Sequence, residues 1–197
     1  MSHLRIATTN ANKLRELRQM LEPLGYQVDG IDDLGLEIIE DGDTFAANAI
    51  IKARAVCNVT GEPAVADDSG LVVDALGGRP GVHSARYAGV QGADRDRANR
   101  VKLLEEMAPV ADGERAARFV CAIAYLEPDR DPHIFRGTLE GAIGREERGN
   151  NGFGYDPVFV IPDDGRTAAE LPATEKNAIS HRGQAIRAFV EFLKAGR

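Results

Sequence analysis

The sequence predicts an α/β protein on a mixed sheet, and three observations carry that expectation. Apolar runs of strand type alternate with stripes of helical spacing along the 197 residues. The two longest strand-like runs, 117–126 and 133–146, are separated only by the turn-rich Pro128-Asp129-Arg130-Asp131-Pro132, which predicts an antiparallel pair. The remaining strands are separated by helices, so parallel and antiparallel neighbours share one sheet.

Taken in order, a first strand over 4–8 runs into Asn10, a residue type that caps helices. The helix that follows carries its stripe at Leu14, Leu17, Leu21 and Leu24 and stops at Gly25. Thr44 is the N-cap of a second helix, which reaches Thr60 and ends at Gly61. A short strand over 64–66 then delivers Asp67-Asp68-Ser69-Gly70. Gly77-Gly78-Arg79-Pro80-Gly81 is a loop. A helix over 94–107 places Val101, Leu104 and Met107 on one face. After the central pair comes a glycine-rich loop over 149–154, a strand over 158–161, and a last helix opened by Ser180 and striped by Ile186, Phe189, Val190 and Leu193.

Composition excludes several classes. Lys and Arg number 24 against 31 Asp and Glu, a formal charge of −7, with 43% hydrophobic residues in periodic segments; that is a folded chain and not a disordered one. The acidic balance leaves no basic stripe for a nucleic-acid polymer. The apolar run over 120–126 is far short of the ~20 residues a membrane-spanning helix needs. Cys57 and Cys121 show no metal-ligand spacing and sit in apolar segments as buried free thiols. With no signal-peptide pattern at the start, this predicts a cytoplasmic location.

Five segments can carry chemistry. Thr8-Thr9-Asn10-Ala11-Asn12-Lys13 joins a strand to a helix N-terminus, where backbone N–H groups and a lysine attract phosphate; an Asn cap beside a solvated lysine is the structural alternative. Glu40-Asp41-Gly42-Asp43-Thr44 gathers carboxylates before a helix, a place acids also occupy for the helix dipole alone. Asp67 and Asp68 leave a buried strand side by side. Their repulsion would be relieved by a divalent cation such as Mg²⁺, unless they merely open a turn before Gly70. Gly149 to Pro157 sets three glycines beside Phe153 and Tyr155, as a backbone passing close to a flat ligand requires; a surface hairpin would need no such aromatics. Lys176, His181 and Arg182 form a basic island in an acidic chain, suited to a small polyanion, or else are exposed charges at a helix start. Arg182 beside His181 disfavours the protonated ring and leaves a neutral hydrogen-bonding group.

Together these segments resemble the inosine/xanthosine triphosphate pyrophosphatase family over nearly the whole chain. The resemblance rests on Thr9-Asn10-Ala11-Asn12-Lys13, Glu40-Asp41-Gly42-Asp43-Thr44-Phe45, Ala66-Asp67-Asp68-Ser69-Gly70-Leu71, Ser84-Ala85-Arg86-Tyr87, Gly152-Phe153-Gly154-Tyr155-Asp156-Pro157 and Ser180-His181-Arg182-Gly183, in that order. Thr9, where many members have Gly, and Asn150-Asn151 depart from the family pattern. The resemblance implies an elongated mixed-sheet fold of two lobes with a central cleft. It treats residues 1–197 as one catalytic domain, implies a homodimer, and implies Mg²⁺-dependent hydrolysis of ITP, dITP and XTP to the monophosphate and pyrophosphate. By motif, Asp68 is the general base and a metal ligand, Glu40 the second metal carboxylate, and Asp67 a supporting acid. Thr8, Thr9, Asn10 and Lys13 hold phosphate. Ser69, Phe153, Gly154, Tyr155, Asp156, Lys176, His181 and Arg182 line the nucleotide, with Arg182 or loop N–H groups meeting the 6-keto oxygen. A nucleotide sensor without catalysis, or a pyrophosphatase for other bases, are the alternatives. A Rossmann oxidoreductase is poorly supported, because the first strand–helix turn lacks its glycines.

Overall fold

The computed structural model describes residues 2–195. Six strands, β1 (Ser2–Ile6), β2 (Tyr26–Asp29), β3 (Ala64–Val73), β4 (Ala116–Leu126), β5 (His133–Ile143) and β6 (Phe159–Val160), form one sheet in the order β2-β1-β3-β4-β5-β6. The helices are α1 (Ala11–Leu21), α2 (Phe45–Thr60), α3 (Arg95–Met107), α4 (Ala173–Ile179) and α5 (His181–Ala195). β1 pairs in parallel with β2, Leu4 opposite Val28, and with β3, Ile6 opposite Val65. β5 and β6 are antiparallel. β4 and β5 are neighbours joined by a short connection, which only an antiparallel pair allows. The sheet is mixed, as expected.

The chain divides into two compact units. The first comprises residues up to Asp68, Cys121–Gly137, and residues from Arg182 onward; the second comprises Ser69–Val120 and Thr138–His181. In the first unit the alternation of β3 sorts side chains to two cores. Val65 joins Cys121, Ile123, Leu17, Leu21, Ile186 and Phe189 under α1 and α5. Ala64 and Ala66 join Ala49, Ala53, Val56, Cys57 and Ala124 under α2. So many alanines at this second interface let α2 approach β3 closely. The second unit has its own core, built on Leu71, Val73, Leu103, Met107, Phe119, Val158 and Phe159.

The expected caps form. Asn10 accepts from the N–H groups of Asn12 and Lys13, Thr44 accepts from that of Ala47, and Gly61 closes α2 at φ +67°. Both cysteines are buried and free. No helix among the described residues is long and apolar enough to cross a membrane.

Several expectations are corrected. β3 is ten residues long and not three, so Asp67 and Asp68 lie mid-strand and not at a turn. β2 and α4 were not expected at all. Leu24 is exposed because a 3₁₀ turn after Leu21 takes it off the helical period. On α3 the buried line is Asn99, Leu103 and Met107 while Val101 is exposed. Asn99 decides that register: its amide accepts from the Ala88 N–H and donates to the carbonyls of Ser84 and Ala85. β5 ends at Ile143, three residues before the expected end, and β6 is only two residues long.

Tyr87 in the second unit gives the fold an alkaline limb. Burial, and donation of its hydroxyl to Glu106 at 2.6 Å, push its pKa to about 12. A raised folded-state pKa stabilises below the unfolded value near ~10, and that stability is lost as pH rises toward the folded value. The urea midpoint should fall between about pH 9 and about pH 12, and Tyr87→Phe should flatten that fall.

Candidate active site

In the first unit the two adjacent aspartates of β3 point to opposite faces of the sheet, each toward its own cations. Asp67 faces α1, α5 and β4 and is fully buried. Its Oδ1 takes Lys13 Nζ at 2.5 Å, and its Oδ2 takes Arg182 Nε at 2.8 Å and the Cys121 thiol at 3.1 Å. Arg182 in turn donates to Glu16 on α1. Burial alone would raise the Asp67 pKa, but the Arg182 and Lys13 charges outweigh it and hold this carboxyl well below the usual range. Two cations on its two oxygens favour the ionised form and make Asp67 a poor proton acceptor. Asp67 is the fixed anchor of Lys13 and Arg182.

Asp68 faces α2. The close alanine interface brings Lys52 to it at 2.8 Å, and the same Nζ reaches Glu40 at 2.9 Å from the irregular segment before α2. Burial raises the Asp68 pKa above its ordinary value despite Lys52. For Glu40, burial is overcome by Lys52 and the carboxyl is held low. Lys52 would itself be lowered by burial but is raised by the two acids. Of the two carboxylates, Glu40 is thus the more acidic and Asp68 the more basic.

The second oxygen of Asp68 is buried without a hydrogen-bond partner. The trio of Lys52, Glu40 and Asp68 also carries one net negative charge. An orphaned carboxylate oxygen beside a second carboxylate fits a hard divalent cation. No group of three or more His, Cys, Asp or Glu gathers for one among the described residues. Two carboxylates, with phosphate and water completing the shell, is the way Mg²⁺ is usually held.

Nearby, the Thr8 hydroxyl accepts from the Asn10 N–H at 3.1 Å, and Thr9 is exposed. Thr8, Thr9, Asn10, Lys13, Glu40, Asp67, Asp68 and Arg182 therefore all lie in the first unit.

The other site candidates lie in the second unit. Asp156 is buried and its Oδ2 accepts from the Phe153 N–H at 2.8 Å and from Lys176 Nζ, on α4, at 2.7 Å. Lys176 also lies 5.1 Å from the centre of the Phe153 ring. Gly152, at φ +74°, makes this turn possible, since a Cβ there would stand 2.0 Å from the Asp156 carboxylate. The Tyr155 hydroxyl donates to the Ser84 carbonyl at 2.8 Å. The His181 ring is buried and stacks on Phe119 at 4.9 Å between centroids. Ser69 is half-buried.

Two parts of the sequence reasoning change. The aspartates do not repel each other into sharing one cation, because strand alternation gives each its own. Nor is the basic island a set of open charges: Lys176 is paired with Asp156, and Arg182 with Asp67 and Glu16. Reasoning from sequence also missed Lys52, Glu16 and Cys121. A signal for Lys52 was present, since it shares the apolar face of α2 with Asn48, Ala49, Ala53 and Val56, where a lysine needs buried acids. Glu16 sits on a strongly charged helix and gave none.

Residues 4–192 match the model of the Ham1 family. The dITP/XTP pyrophosphatase of Shigella flexneri is 49% identical over 199 residues, covering all of both chains. That of Bacillus licheniformis is 50% identical over 95% of each. The solved structure of a HAM1 protein from Coxiella burnetii superposes with a TM-score of 0.89 at 45% identity, covering 99% of this chain and 100% of that one. With a match of that length to both sequence and fold, the chain belongs to the Ham1 family.

Proposed function

We propose that the protein hydrolyses the non-standard purine nucleoside triphosphates ITP, dITP and XTP to the monophosphate and pyrophosphate with the help of Mg²⁺. The observation that carries this reading is the Glu40–Lys52–Asp68 trio, with one buried oxygen of Asp68 left over. Glu40 and Asp68 would hold the metal, which when bound neutralises phosphate oxygens and makes water more acidic. Asp68, the more basic carboxylate, takes the proton of the attacking water. Lys52 keeps Glu40 and Asp68 together and stabilises the charge they share. Lys13, with Thr8, Thr9 and Asn10, meets the triphosphate, its ammonium held in place by Asp67.

For the base we assign Phe153 to Asp156, Lys176, His181 and Ser69. Inosine and xanthine present a 6-keto acceptor where adenine presents an amino donor. A site that offers donors there leaves one unpaired against adenine, a cost of roughly 1–3 kcal/mol, or about one to two decades. The first task of Arg182 is to hold Asp67, so the donors fall to His181 and the loop. The acidic chain with two buried free thiols fits a cytoplasmic enzyme, and a homodimer is the assembly we assign to it; light scattering should return twice the 21.2 kDa chain mass.

The test is pyrophosphate release from ITP, dITP, XTP, GTP, ATP and a pyrimidine triphosphate, with and without Mg²⁺. ITP and XTP should exceed ATP and GTP in kcat/KM, and chelation should stop the reaction. Binding without release would make the protein a nucleotide sensor, and preference for another base would reassign the substrate. Lys13→Ala should weaken every triphosphate alike, at a cost of about 1.5–3 kcal/mol for one charge-assisted hydrogen bond. A changed ITP-to-GTP ratio with little loss on ITP would take Lys13 off the phosphates.

A further inference from the structure

The loop assigned to the base has a second support that no catalytic or nucleotide-lining role explains. The two peptide groups that flank the Cα of Gly154 are each held by α3. The Gly154 N–H donates to Asp96 Oδ2 at 3.0 Å, and its carbonyl accepts from Arg100 Nη1 at 2.9 Å. Asp96 and Arg100 are four residues apart, so they stand one above the other on the same side of the helix. Neither can swing freely. The other oxygen of Asp96 is held by Arg95 at 2.9 Å, and Arg100 Nε forms an ion pair with Glu147 at 3.1 Å. Asp96 also sits in the first turn of α3, where the helix dipole favours its charge.

A glycine peptide has no side chain to lock it, and Gly154 lies at φ +61° between two aromatics. On one side of it, the turn is closed by the Asp156 carboxylate and Lys176. On the other, Asp96 holds the 153–154 peptide group and Arg100 the 154–155 peptide group. The orientations of these two planes set the directions in which Phe153 and Tyr155 leave the loop.

We infer that Asp96 and Arg100 are positioning residues for base selectivity: by clamping the peptide groups on either side of Gly154 they fix the 153–156 loop that reads the purine. This rests on the function proposed above. Asp96 and Arg100 bond to the loop, to Arg95 and to Glu147 and carry none of the phosphate or metal roles proposed above, so the clamp governs which base is accepted and leaves the rate of cleavage alone.

The experiment compares Asp96→Ala, Asp96→Asn and Arg100→Met with the wild type on ITP, XTP, ATP and GTP, after circular dichroism shows each variant folded. Wild-type release of pyrophosphate from ITP tests the proposed function by itself, before any variant is considered. Asp96→Ala should raise KM for ITP about tenfold with kcat changed less than about threefold, and compress the ITP-to-ATP ratio, as expected for a displaced binding loop. Asp96→Asn keeps an acceptor oxygen and should restore most of the ratio. Arg100→Met should compress it in the same direction. Hydrogen exchange at the Gly154 amide supplies a readout apart from activity, and it should quicken at least about tenfold in Asp96→Ala but not in Asp96→Asn. The inference is overturned if kcat falls while KM and the ratio hold, if all nucleotides lose equally, or if Gly154 exchange does not change.

Discussion

Asp68→Asn is expected to reduce pyrophosphate release by ~10²-fold or more while nucleotide binding stays measurable. The side chain keeps its shape but can no longer accept the proton of water, and its orphaned buried oxygen is no longer anionic. Two further consequences separate a catalytic loss from a structural one. Glu40 keeps Lys52 as its partner, so the buried lysine is not stranded and the fold should hold. Binding of a slowly cleaved ITP analogue should weaken far less than turnover. Retention of more than half the wild-type rate at saturating Mg²⁺ would remove Asp68 from the role of base.

Arg182→Ala should have the largest effect on the fold. The guanidinium is almost wholly buried and joins Asp67 on β3 to Glu16 on α1 from the start of α5, all within the first unit. Truncation leaves a buried carboxylate facing an empty volume, a loss of roughly 3–5 kcal/mol for breaking one side of such a pair. Asp67 retains Lys13, so some of the charge stays compensated and folding should survive at reduced stability. Activity should fall on ITP, XTP and ATP to a similar extent, because what is disturbed is the anchor of Lys13. Urea denaturation and the three nucleotides measured side by side decide it. Unchanged stability with a flattened ITP-to-ATP ratio would return Arg182 to the base.

Much of this was readable from residue types. Asn10, Thr44 and Gly61 identify helix ends because each offers a local interaction that few other residues can, and such interactions need no tertiary context. Glu40, Asp67 and Asp68 stand out in the sequence because clustered acids beside an apolar segment are chemically conspicuous, even though the two aspartates lie mid-strand. What could not be read was which partner each would take. Asp67-Asp68-Ser69-Gly70 has the composition of a turn, and only the buried cations on both sides allow it to stay extended through β3. Lys52 lies in a helix whose face is otherwise small and apolar, so its purpose emerges only once the alanine interface brings α2 against the sheet. On α3 the sequence marks Val101, Leu104 and Met107, yet Asp96, Asn99 and Arg100 bind two stretches of backbone, 84–88 and Gly154.

The alternation along β3 has a consequence for how this gene can change length. Two acids joined by one peptide bond are kept apart by parity alone: odd positions face Lys13 and Arg182, even positions face Lys52. An inserted codon between Ala64 and Val65 would exchange their addresses, turning Asp68 toward Cys121 and Asp67 toward Lys52, and would invert Val65 and Ala66 with them. Such a variant should fail to fold its first unit, visible as lost circular dichroism, where the same change in the irregular stretch ahead of Glu40 should leave the spectrum intact. Frame, in this strand, is counted in twos as well as in threes.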